Sequence, residues 1–219
     1  YRIPGENMNI FKKIHPSKPL KYLRWFDIVI ITIIMFGQFI IRSTELFLAN
    51  TFSTGASSTV GTVRQAASES AAYFSNFTLQ AILLTVTLLY LLIRNYDFKQ
   101  LPIRWNWSII FWVPFIFSLV GLFGDLVTTL TGEYNYFNPD LFAYIDFTQI
   151  IGKFLALSPI AIAYALLNGF YEEFFFLGLL TSVKEKHKWL VLLYSTIIRI
   201  SFHTYQGLVW ALVMGVVYG

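Results

Sequence analysis

Leu166-Leu-Asn-Gly-Phe-Tyr-Glu-Glu-Phe-Phe-Phe-Leu-Gly-Leu-Leu180 is an apolar run with two adjacent glutamates, Glu172 and Glu173, near its centre. Apolar stretches of ~20 residues cross a bilayer as helices. A carboxylate inside one costs roughly 2.5–3.5 kcal/mol on the insertion scale. Membrane helices keep such groups where they face a polar cavity, a partner or a reaction. This stretch therefore decides the fold class and also where function is to be sought. A second pointer is His203, in the next hydrophobic segment, within Arg199-Ile-Ser-Phe-His-Thr-Tyr-Gln-Gly207.

The rest of the chain has the same character. Its 219 residues are 56% hydrophobic and 13% charged, about half the ~25% charged residues of a soluble domain. Mean hydropathy is +0.60. The deficit of charge runs along most of the length, so the expected fold is an all-α, polytopic transmembrane helical bundle in one domain. The absence of cysteine excludes a disulfide framework, a thiolate zinc site and a cysteine nucleophile. The net charge of +4 gathers in the amino-terminal stretch and short loops, which suits anionic lipid headgroups and not nucleic acid. No glycine-rich phosphate loop, His-Glu-x-x-His pair or G-x-S-x-G elbow appears. The apolar run from Trp25 is too long for the core of a cleavable signal peptide.

Residues 1–24 are polar and basic and are expected to be cytoplasmic; residues 1–7 precede the first methionine, Met8, and read as an added leader. Residues 25–219 are expected to form the membrane domain, cut short at its carboxy-terminal end. Spans are expected over about 25–49, 71–93, 107–131, 154–181, 189–205 and from 207 onward, at least six in all. A Ser/Thr/Gly/Ala-rich linker is expected at 51–70, a turn-rich aromatic loop at 132–140 and an interfacial segment at 141–153; Pro114 is a candidate kink. The chain stops about 13 residues into the last span, short of a crossing, which reads as a fragment of a longer protein. Lys/Arg asymmetry between loops places the amino terminus and the Lys184–Lys188 loop in the cytoplasm.

Those positions bring the polar residues to similar depths. Glu173 lies about 17 Å, and His203 about 23 Å, from the cytoplasmic edge at 1.5 Å per residue. Their helices are antiparallel neighbours, and tilt absorbs the ~6 Å difference. A carboxylate and an imidazole that meet there can hold a water, take its proton and return it to a leaving group. Arg199, four residues before His203, shares its face and is expected to neutralise one glutamate and leave the other as base. Asn168, four before Glu172, adds an uncharged donor. The two glutamates point about 100° apart, so one is expected to face the reaction and the other to support it. The bland alternative is a polar cluster that locks two helices together.

Weaker signals take their ordinary readings. Asp27, Glu45 and Asp125 are expected at the interface. Gln38 and Arg42 share a face of the first span, with packing favoured over lining the same cavity. His15 and His187 are solvated, and the Tyr and Trp near span ends form an aromatic belt. Gly215-Val-Val-Tyr-Gly219 fits a G-x-x-x-G helix contact.

Over about Ala163 to Gly219, the Glu172-Glu173 pair, the short basic loop and His203 ahead of Tyr-Gln-Gly207 resemble the CPBP family. That family, also called Abi, includes the type II CAAX prenyl endopeptidases. The resemblance implies a helical membrane bundle with its site in a cavity between helices, and endopeptidase cleavage of a membrane-associated peptide or lipoprotein. By position, Glu172 is the water-activating glutamate, Glu173 its neighbour and His203 the second-motif histidine. The family's E-E-x-x-x-R motif meets Leu177 here, and its F-x-x-x-H motif meets Arg199, which is expected to supply the missing charge. The third-motif histidine and its Asn/Asp partner are expected beyond Gly219. No cofactor is expected; a divalent metal, if bound, falls to Glu172 and His203. The expectation is thus an intramembrane endopeptidase of a bacterial plasma membrane, with lipids, its substrate and an envelope protein as partners. The alternatives are a non-proteolytic scaffold that regulates an envelope protein, and a transporter with a Glu172–His203 proton relay.

Overall fold

In lipid every backbone polar group must be satisfied within its own segment or a closed barrel, and this chain answers with helices. The computed structural model describes residues 16, 18–52, 65–101, 106–132, 148, 152, 155 and 157–218. Among them run α1 (Trp25–Phe52), α2 (Gln65–Ile93), α3 (Ile109–Leu130), α4 (Pro159–Glu173), α5 (Lys188–His203) and α6 (Leu208–Tyr218). The pairing of Leu20 with Tyr96 is an isolated bridge, and no strand occurs among the described residues.

Trp25–Ala49, Glu69–Ile93 and Pro159–Ser182 are long and apolar enough to cross a membrane. Those are three of the expected spans. α3 has 22 residues, of which Ser118–Leu130 is an apolar stretch, as is Leu208–Val217 of α6; the 16 residues of α5 fall below the ~20 that a perpendicular crossing takes. Ile33, Leu89, Phe111, Leu166 and Leu193 all face outward and exposed, a surface suited to lipid. This is an integral membrane protein.

Boundaries differ from expectation in two places. The linker expected at 51–70 gives its last residues to α2, which begins at Gln65; Ala66 and Ala67 are strong helix formers and outweigh the neighbouring serines. The fourth span does not begin at 154. Ser158 has extended backbone and accepts the Ala161 N–H at 3.3 Å, with Pro159 in the first turn, so the helix starts at a capped Ser-Pro step. Residues 53–64, the loop at 133–140, the bulk of 141–153, residues 1–15 and the side chain of Pro114 lie outside the described residues.

The start of α1, the end of α2 and the end of the α4 segment meet at one end of the bundle. Asp27, expected at the interface, is instead completely buried. Its carboxylate receives Arg94 Nε at 2.6 Å, the Tyr90 hydroxyl at 2.7 Å and the Arg24 N–H at 3.1 Å, and the Arg94 guanidinium lies over the Phe26 ring, 5.0 Å from its centroid. Burial is tolerable because the charge is paired and hydrogen-bonded. Tyr96 and Ser182 hydroxyls meet at 2.6 Å, and the Leu23 N–H donates to the Ser182 carbonyl at 2.9 Å. Trp25 makes T-shaped ring contacts with His187, just before α5, and with Tyr194, within it.

Deeper in, Phe36 of α1 is the hub of an aromatic core. Tyr171, Phe175, Phe176 and Phe202 surround it, with ring centroids 5.7, 4.9, 5.3 and 5.1 Å away. Each such pair adds ~0.5–1.5 kcal/mol beyond its buried area. On the other side of α5, Gly215 lets α6 approach: a methyl group there would run into Ile200 and the Thr196 carbonyl. Gly124 of α3 makes the same room for the Trp210 ring. The contact expected at Gly215 is present; Gly219 lies outside the described residues.

Candidate active site

Tyr171, Glu172 and Glu173 close the α-helical part of α4. The next six residues, Phe174–Leu179, wind as a π-helix, with the Leu180 N–H donating back five residues to the Phe175 carbonyl. Such wide turns recur at functional sites because they carry an extra residue and re-aim side chains. Here Phe175 and Phe176 both turn onto Phe36, while Leu177 is left 58% exposed. Leu177, which stands at the motif arginine position, therefore points away from the core. Tyr171 anchors the glutamates to α1 by donating its hydroxyl to the Met35 carbonyl at 2.6 Å.

Arg199 reaches the glutamates from α5. Its Nη1 lies 3.8 Å from Glu172 Oε2 and its Nη2 lies 3.5 Å from Glu173 Oε1. The expectation that it would serve one glutamate alone is corrected: the planar fork spans both. A guanidinium has two outer nitrogens to offer, so carboxylates pointing ~100° apart can still share one cation. The stem is buried, and the guanidinium lies 3.8 Å from the Phe176 ring centroid.

A cavity of about 310 Å³ opens beside this cluster, and Glu172 and His203 both line it. Glu173 and Arg199 are not among its lining residues; they stand behind Glu172. His203 sits at the last residue of α5, its ring 4.3 Å from that of Phe202, and its Nδ1 is buried with no hydrogen-bond partner among the described residues. The following turn is held to α1 by Ser43, whose hydroxyl meets that of Thr204 at 2.9 Å and accepts the Tyr205 N–H at 3.0 Å. Gly207 then takes φ 107°, a conformation that glycine adopts without strain, and redirects the chain into α6.

Gln38 and Arg42 of α1 line the same cavity, so both belong to its wall, contrary to the packing role favoured from sequence. Asn168 Nδ2 donates to Glu172 Oε1 at 2.9 Å, the contact that their spacing of four implies. Gln80 was not singled out by sequence reasoning, yet its Nε2 donates to Asn168 Oδ1 at 2.6 Å. The signal was there: an amide in the middle of an apolar span needs a hydrogen-bond partner across a helix interface, though it is a milder anomaly than a carboxylate. Among the described residues no group of three or more His, Cys, Asp or Glu converges. Glu172 and His203 alone supply fewer than the three protein ligands of a catalytic zinc site.

The cavity is thus lined by one carboxylate with a hydrogen-bonded oxygen and by an imidazole, with the Arg199 cation beside that carboxylate. Residues 153–219 match the family model described as Type II CAAX prenyl endopeptidase Rce1-like. The match covers Glu172, Glu173, Arg199 and His203 and supports membership of the CPBP family. No curated protein and no solved structure matches the chain.

Proposed function

From that family relation, we propose that the chain is an intramembrane endopeptidase of the CPBP type, acting on a membrane-associated peptide or lipoprotein. The observation that carries the reading is the shared cavity: Glu172 and His203, from different helices of an apolar bundle, line one pocket. Glu172 takes a proton from a water held between it and His203. The resulting hydroxide adds to the scissile carbonyl, and as the tetrahedral intermediate collapses the proton passes to the departing amine. Arg199 holds the carboxylate pair, and Glu173 balances its charge. In this reading the protein has at least six membrane spans, the sixth only begun in this chain, with its amino terminus in the cytoplasm of a bacterium. Prenylated substrates are not general there, so peptide maturation, bacteriocin immunity or lipoprotein handling is the favoured outlet.

One observation favours a second reading, a non-proteolytic scaffold for an envelope protein. Leu177 replaces the motif arginine and is exposed, as in a fold retained after its chemistry is lost. A single experiment separates the two. Wild type and Glu172→Gln are expressed to matched levels in a strain lacking the protein, and membrane-fraction peptide termini are compared by mass spectrometry. The endopeptidase reading expects a small set of termini to fall by at least ~100-fold. Identical profiles from equally abundant, folded proteins would select the scaffold.

A further inference from the structure

Glu172 is held by a chain of two amides that begins outside the family-matched segment. Gln80, on α2, is only 3% exposed; its Nε2 donates to Asn168 Oδ1 at 2.6 Å, and Asn168 Nδ2 donates to Glu172 Oε1 at 2.9 Å. All three line the cavity. The polarity of this chain runs one way. An ionised carboxylate only accepts, so Asn168 must turn its NH2 towards Glu172 and its carbonyl away. That carbonyl also only accepts, so Gln80 must present its NH2. Amide orientations follow from such networks, and here the carboxylate dictates both. Gln80 keeps this orientation although its Oε1 is then buried without a partner among the described residues, an arrangement that ordinarily opposes folding.

We propose that Gln80 is a positioning residue for Glu172: acting through Asn168, it holds the carboxylate in one orientation, with Oε1 tied to the amide and Oε2 turned towards Arg199. The consequence for catalysis rests on the reading of Glu172 as the base; the relay itself does not. It gives α2 a part in holding a carboxylate whose other polar contacts, Asn168 and Arg199, lie on α4 and α5.

The test uses the whole protein in lipid nanodiscs and N,N′-dicyclohexylcarbodiimide, an apolar reagent that attacks membrane-embedded carboxyl groups. Adducts on Glu172 and Glu173 are counted separately by peptide fragmentation in wild type, Gln80→Met, Asn168→Leu and the double variant. Because the carbodiimide reacts with the protonated acid, and each variant removes or loosens the amide donor that favours the ionised carboxylate, each single variant should label Glu172 about tenfold faster, with Glu173 unchanged. The double variant should label no faster than Asn168→Leu alone, since residues acting in series are non-additive. Unchanged labelling in Gln80→Met, or effects that multiply, would overturn the relay. Should Gln80→Met not accumulate, Gln80→Asn breaks the same contact with one methylene fewer. On a terminus lost in Glu172→Gln, Gln80→Met should lower kcat and leave KM unchanged. If Glu172→Gln removes no terminus, the endopeptidase reading falls while the labelling still judges the relay.

Discussion

Arg199 is the residue on which the carboxylate pair depends. Its nitrogens stand 3.8 and 3.5 Å from the two carboxylates, and its side chain is 5% exposed. Removing one partner of a buried ion pair leaves a bare charge, at a typical cost of ~3–5 kcal/mol; the partial exposure of Glu173 reduces that figure. Arg199→Gln should therefore lower the melting temperature of the purified protein by several degrees, and adding Glu172→Gln and Glu173→Gln should restore much of it. Arg199→Lys should keep the fold and lose most of the Glu172-dependent cleavage, because one ammonium cannot span both carboxylates. A wild-type melting curve for Arg199→Gln would mean that the guanidinium is not what holds the pair. Sequence spacing put Arg199 on the face of His203. It left open how one cation treats two carboxylates, because that depends on the direction of the fork, which the Phe176 ring sets from another helix.

The elements meet through small residues, and glycines at different places should behave differently. An added methyl at Gly215 would collide with Ile200 and the Thr196 carbonyl, whereas nothing lies within 4 Å of the same position at Gly121. Gly215→Ala should destabilise the protein by ~1–3 kcal/mol through overpacking. Because Ile200 lies one turn before His203, Gly215→Ala should also disturb the imidazole. Gly121→Ala should be neutral or stabilising by up to ~1 kcal/mol, the helix-propensity gain. Paired thermal melts in one detergent read both, and equal effects would show that α5 and α6 do not meet at Gly215. The π-helix at Phe174–Leu179 is the element least legible beforehand. Its residues are apolar throughout and fit a regular helix equally well; the extra residue emerges only because Phe175 and Phe176 must both reach Phe36.

At the scale of the whole molecule, the buried Asp27–Arg94 pair clamps the start of α1 to the end of α2, and so fixes the two walls that carry Arg42 and Gln80. Asp27→Ala should strand a buried guanidinium and cost ~3–5 kcal/mol, seen as poor accumulation in the membrane. Asp27→Leu with Arg94→Met should recover it, since an apolar pair of similar volume replaces the ions. Failure of the double variant to recover would assign the clamp a role beyond charge pairing. The sequence by itself determined the helical membrane class and singled out Glu172, Glu173, Arg199 and His203. Each follows from local composition or spacing, and charge in an apolar run is conspicuous without any fold. Only the tertiary structure decided that Asp27 is buried, that Arg199 serves both glutamates and that Gln80 reaches Asn168 from a helix 88 positions away. Those outcomes rest on which face of one helix meets which face of another. Side-chain packing sets that, and no spacing along a single segment contains it.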